Sequence, residues 1–196
     1  MRFPNVKQGL NKLFAAEIMT IISGFSVAVN GDNLAFLGTA LALLGTAAFV
    51  VNIIGLRQCS IDEKGYKRPL TLTVAAIFVC LGMIILGVVL KNSYLSDGAN
   101  EVQGLFNFLV AYEVLKTTAK ILRESGKEAD AKYADGVRKL FTAAFVVAEV
   151  FGLIADSIDG TGMLIAAILT AVASIIALLI ANIKYIIFLK RSADAL

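Results

Sequence analysis

Six apolar stretches dominate the chain, each near the roughly 20 residues that carry a helix across a bilayer. They run 12–29, 34–56, 70–90, 101–115, 137–158 and 163–189 of the 196 residues. The fourth is the weakest, because Glu113 and Lys116 come early. It reads as a helix that enters near Val102 and leaves as a charged extension to about residue 124. Apolar runs this long do not alternate as barrel strands do. In lipid, backbone polar groups must be satisfied within the segment, which makes each run a helix. The expected fold is therefore an all-α polytopic membrane protein, one transmembrane helical bundle over 1–196. The composition agrees: 17% of residues are charged, against about 25% in soluble domains. The basic, then apolar, N-terminus has no convincing A-x-A site, so it reads as the first span and not a removed leader.

The basic residues fix a direction. With the N-terminus inside, the inner segments hold Arg2, Lys7, Lys12, then Arg57, Lys64, Lys67, Arg68, then the cluster Lys116–Lys139, then Lys184, Lys190, Arg191. Of 18 Lys and Arg, only Lys91 falls outside. Cytoplasmic loops carry such an excess. The same count requires span 4 to cross, since the 116–139 cluster would otherwise be outside. Both termini are thus expected in the cytoplasm of a cell bounded by this membrane, with the helices arranged as three hairpins. The turns Gly31-Asp32, Asp97-Gly98 and Asp159-Gly160 recur at about a third of the chain each, and Lys12-Leu13-Phe14 repeats as Lys139-Leu140-Phe141. Parallel repeats of this kind occur in membrane proteins, although Asp-Gly also simply makes good turns.

Small residues predict where helices approach, because lipid tails offer Leu-like surfaces no advantage. Gly38, Ala42, Gly45 and Asn52 form such a stripe on span 2. Ala166, Thr170, Ser174, Ala177 and Ala181 form one on span 6. Both read as inner faces of the bundle, with a homo-oligomer contact as the alternative for one. Pro4 and Pro69 each precede a span, so no span should be kinked.

Span 5 carries the strongest candidate site. Glu149 lies near its middle, with Asp156 and Asp159 toward the outer end. Ionisable residues at membrane depth are costly and mark pathways or partners. Glu149 is the intramembrane candidate, protonatable or cation-binding, with Asp156 and Asp159 a weaker outer mouth. Asn52, Asn107 and Asn182 are candidate polar lining, or partners that satisfy a buried neutral Glu149. Glu17 is expected to pair with Lys12 or Lys184, or to reach the inner interface. Tyr66, Tyr112 and Tyr185 are expected in an interfacial belt.

Between spans 4 and 5 the charges alternate in sign. Ser125-Gly126 should break the chain there. A short amphipathic helix, 127–136, is expected to follow, with Ala129, Tyr133, Gly136/Val137 and Leu140 as its apolar face. It would lie on the inner membrane surface or cap the bundle, or dock a cytoplasmic protein partner. Its balanced charge speaks against nucleic acid.

Much chemistry is excluded. Histidine is absent, which removes most zinc, haem and His-based nucleophile sites. Cys59 and Cys80 share no metal or redox spacing and read as packing residues. Asp156-Ser-Ile-Asp159-Gly160-Thr161 has the wrong spacing for a D-x-D-G-T phosphatase. No nucleophile–base pair, Walker A or zincin motif is present. No cofactor or metal is expected, and the chain does not read as an enzyme.

The segment Ile54-Gly55-Leu56-Arg57-Gln58-Cys59-Ser60-Ile61-Asp62-Glu63-Lys64-Gly65-Tyr66 resembles one found in small six-span bacterial membrane proteins with no assigned function. The helix-break-helix over Tyr112–Leu140 is similar to theirs. The likeness implies a bacterial cytoplasmic membrane and no activity. In layout alone the chain also resembles the six-helix substrate-binding subunits of energy-coupling vitamin transporters. Two functions are therefore expected: a small-solute or proton-coupled transporter or substrate-binding subunit, or a non-catalytic scaffold docking partners on its basic inner loops.

Overall fold

The computed structural model describes residues 3–24, 35–155 and 161–196, with side chains at 35, 96–97, 149–155, 161–171 and 174 outside that description. Among the described residues the chain forms six helices: α1 Pro4–Gly24, α2 Ala35–Asp62, α3 Lys67–Leu90, α4 Ser93–Glu124, α5 Glu128–Ala155 and α6 Thr161–Ala195. One 3-10 turn, Lys64–Tyr66, links α2 to α3. There are no strands among the described residues. Among the described residues two helical segments, Phe36–Asp62 and Lys64–Leu90, are long and apolar enough to cross a membrane by length and composition.

The largest interfaces join α1 to α2, α3 to α4 and α5 to α6. These are three antiparallel hairpins. Gly9 lies against Cys59, and Gly45 against Ser23. Gly98 lies against Met83, and Gly65 against Thr117. Further contacts join α4 to α5 and α6 to α1. Only a small interface joins α2 to α3. The helices therefore follow one another around a ring in chain order, with its loosest seam between α2 and α3.

Packing is uneven along the ring's axis. Val6, Leu10, Leu13, Leu56, Tyr66, Val114, Leu115, Ile121, Leu122 and Leu189 are fully buried. They come from helix ends that the charge pattern places inside. Toward the opposite ends, large apolar side chains are exposed, among them Phe36, Leu43, Phe78, Ile85, Val88 and Val89. Exposed apolar surface on this scale is uncommon on water-soluble monomers. One end is thus packed as a soluble core is, and the remainder turns apolar faces outward.

Element ends depart from expectation where caps and packing override the hydropathy pattern. Residues 57–62 were expected in a loop, but α2 continues to Asp62. Leu56 and Cys59 bury against α1, and Asp62 ends the helix usefully. Its carboxylate accepts from the amides of Asn5 (2.7 Å) and Val6 (3.2 Å) and from the Asn5 side chain (2.7 Å). The first N–H groups of a helix have no partners of their own. Here a neighbouring helix supplies the cap, with an anion at the positive end of α1. Asp62→Ala should destabilise the protein by about 1–2 kcal/mol, the usual worth of such a cap. Thermal unfolding in detergent measures it; an unchanged midpoint would mean that water replaces the cap.

The expected loop 91–100 shrinks to two residues, so Asp97-Gly98 lies inside α4 and not in a turn. Lys91 adopts a left-handed conformation (φ 51°), and the amide of Asn92 bonds to the Gly87 carbonyl at 2.9 Å, closing α3. Asn92 then accepts from the Tyr94 amide and opens α4. The break at Ser125-Gly126 is where it was expected, with Gly126 at φ 72° and Lys127 N–H on the Leu122 carbonyl at 2.8 Å.

The separate helix 127–136 is a correction: α5 runs unbroken through Gly136. A glycine costs about 1 kcal/mol inside a helix. The buried row Ala131, Ala134, Val137, Phe141, Ala144 passes straight by it. That row, and not Ala129 with Tyr133, is the packed face, since Ala129 is exposed and Tyr133 half-buried. The segment is thus an inner extension of the bundle. Its charges are used internally: Arg138 meets Asp135 at 3.2 Å, Arg123 also pairs with Asp135, and Arg191 meets Asp130 at 2.5 Å. Lys120 reaches Glu63 at 3.5 Å.

Candidate functional site: a polar cavity inside the helix ring

All six helices line one cavity of about 840 Å³. Hairpin register explains which residues meet there. Pairing Gly9 with Cys59 and Ser23 with Gly45 places Glu17 opposite residues 51 and 52. Pairing Cys80 with Ala99 places Asn107 near Thr73. Tyr185 of α6 packs edge-on against Phe141 of α5, ring centroids 6.0 Å apart. Glu17, Asn52, Thr73, Asn107, Asn182 and Tyr185 all line the cavity. They come together at its inner end, above the packed core. From there the lining extends toward Ser23, Gly45, Ile84, Gln103 and Ala148.

Asn52, Asn107 and Asn182 are therefore brought into one cavity, as cavity lining requires. Glu17 differs from expectation. It pairs with neither lysine: the Lys12 amine bonds to Gln58 Oε1, and Lys184 is exposed on α6. Among the described residues Glu17 has no hydrogen-bond or ion-pair partner, and it lines the cavity. Glu149 is helical within α5, but its side chain, like Asp156 and Asp159, lies outside the described residues. Phe141, Phe145 and Ala148 of the same helix do line the cavity. Tyr66 and Tyr185 are buried and not in an interfacial belt. Tyr112 lies under the Arg138 guanidinium, 5.5 Å from ring centre to carbon.

Several of the polar groups spend their donors locally. Thr20 Oγ1 donates to Ala16 O (2.9 Å), Ser23 Oγ to Thr20 O (2.8 Å), and Thr73 Oγ1 to Pro69 O (2.9 Å). Asn182 Nδ2 donates to Leu178 O at 2.9 Å. Their donors are spent on their own helices, as Ser, Thr and Asn commonly do. The oxygens of these four remain as acceptors, while the amides of Asn107 and Gln103 and the Tyr185 hydroxyl add donors to the lining. Asn52 Oδ1 is buried and has no partner among the described residues. Leaving a buried acceptor unmet costs about 1–3 kcal/mol. Among the described residues no lysine or arginine lines the cavity, so none of them offers the Glu17 carboxyl a counter-charge. Phe108 and Phe145 stack on one wall at 4.2 Å. The sequence signal that could have found Glu17 was its distance from any basic residue one helical turn away on the same face.

Cys59 is not reactive chemistry. It is fully buried, and burial pushes its thiol up to about 12, so the nucleophilic thiolate is absent at neutral pH. Among the described residues no three of His, Cys, Asp or Glu come close enough to hold a metal. No family model, curated protein or solved structure matches the chain.

Proposed function

We propose that this chain is a six-span protein of a bacterial cytoplasmic membrane, with both termini in the cytoplasm, that binds a small solute in its central cavity. It acts as a small transporter or as the substrate-binding membrane subunit of one. The observation that carries the reading is a single cavity shared by all six helices, holding an unpaired carboxyl and three asparagines. Ligand sites between helices of a bundle have this form: apolar walls with a few convergent polar groups. An intramembrane carboxyl without a salt-bridge partner is costly unless it serves binding or proton transfer. The scaffold alternative has less support, because Asp130, Asp135 and Glu63 of the inner segments are engaged within the chain. Glu149 follows the cavity-lining Ala148 in α5.

The test is flux. Protein reconstituted into proteoliposomes with an internal pH dye should carry protons or dissipate a pH gradient. Glu17→Gln should lower that flux at least tenfold, and Glu149→Gln reports whether that carboxyl contributes. A Glu17→Gln flux equal to wild type would overturn the assignment. Topology is read separately: single cysteines at 64 and 127 should label only from the cytoplasmic side, and one at 91 only from outside.

A further inference from the structure

The cavity is selective in what it can satisfy. Among the described residues its one carboxyl is that of Glu17, and no lysine or arginine lines it to offset a negative charge there. An anionic solute would meet lone pairs and a negative centre. A bare metal ion prefers several oxygen ligands, carboxylates foremost, yet the site offers one carboxyl beside aromatic rings. Phe108 and Phe145 present a stacked aromatic wall, and Phe141 continues it at 6.2 Å from Phe108. Aromatic faces attract organic cations, most strongly when these are poorly hydrated. Phe49, Ile77 and Leu81 also line the cavity with apolar surface.

We infer that the cavity binds an organic cation, an ammonium carried on an apolar body, with the charged head at Glu17 and Asn52 and the body against the Phe108–Phe145 wall. This rests on the proposed solute-binding role and names the ligand class for it. The amide oxygen of Asn52, unpartnered and next to Glu17 in the hairpin register, accepts from an N–H head or faces a methylated one.

Binding is measured on purified full-length protein by ligand-induced thermal stabilisation and by calorimetry. The probes are benzyltrimethylammonium, its carbon isostere neopentylbenzene, and benzoate. The cation should bind at least tenfold more tightly than the isostere, and benzoate should not compete. Glu17→Gln, close in shape, should abolish the preference for the cation. The wild-type comparison alone keeps the inference testable if the variant folds poorly. Equal binding of cation and isostere, competition by benzoate, or a preference that survives Glu17→Gln would overturn it. Selective cation binding without any flux would leave this inference standing and remove the transport reading. Flux that benzoate inhibits as well as the cation would do the reverse.

Discussion

Replacing Gly9 by alanine is expected to force α1 from α2 and to destabilise the protein by about 2–3 kcal/mol, at the upper end of overpacking costs. A Cβ at Gly9 would stand 2.6 Å from the Gly55 carbonyl oxygen and 2.9 Å from the Cys59 amide nitrogen, and would also press on Cys59 Sγ. Two of these three are backbone atoms, which cannot rotate away. A Cβ at Gly55 would likewise stand 3.0 Å from the Gly9 carbonyl oxygen. The two glycines let the helix backbones touch, which is how helices associate without a hydrophobic drive. This crossing also seats Asp62 over the N-terminus of α1 and the Lys12 amine on Gln58, so the displacement would spread. Leucine at this position should prevent the folded protein from accumulating. Cys59 supplies the readout: shielded and protonated in the native state, it should resist alkylation at pH 8 in a Cys80→Ala background. Gly9→Ala should speed its modification severalfold and lower the unfolding midpoint. Wild-type protection together with a wild-type midpoint would show that the helices do not cross this closely.

That crossing shows what the sequence conveys and what it hides. Six helices and their pairing into hairpins follow from apolar runs separated by short polar turns, because each run must bury or cover its backbone. Asn52, Asn107 and Asn182 were legible as lining for the same reason: amides are rare in apolar helices unless something receives them. Glu17 was misread because Lys12 and Lys184 are near enough in sequence or by orientation to serve as partners. Which way a side chain rotates about the helix is decided by packing across hairpins, and no single stretch contains it. The span-2 stripe of small residues was read as one packing face. Gly45 and Asn52 do turn inward, but Ala42 is exposed, and the close approach falls at Gly55, one turn beyond the stripe. Helix ends were misplaced where the cap belongs to another element. Nothing near Pro4 announces that Asp62 will cap it, and nothing in 91–100 announces that Lys91 will accept a left-handed conformation. The inner extension of α5 was amphipathic in the sequence, and its alternating charges read as a surface. Those charges instead find partners on α4 and α6, which a view of one helix at a time does not reveal.

Tyr66→Ala should be the most damaging single truncation, costing about 3–5 kcal/mol, in the range of buried aromatic deletions. Tyr66 is fully buried at the end of the 3-10 turn. Thr118 Oγ1 donates to the Val114 carbonyl at 2.7 Å. The Tyr66 hydroxyl is therefore the donor in its 2.6 Å bond to Thr118. Tyr66→Phe removes only this bond and should cost about 1 kcal/mol. The two substitutions separate packing from hydrogen bonding. The position matters beyond its own contacts, because α2 and α3 share the smallest interface of the ring. The turn that joins them touches α4 as well as both helices, and so ties the α1–α2 hairpin to the α3–α4 hairpin. Without the ring of Tyr66 that tie has a void at its centre, and the loosest seam has least to hold it. Cys80 lines the cavity from α3 and reports the opening. Tyr66→Ala should raise Cys80 labelling by a lipid-soluble maleimide severalfold, while Tyr66→Phe leaves it near wild type. If both variants lose stability equally and neither alters Cys80 labelling, the turn is only a connector and the ring is closed elsewhere.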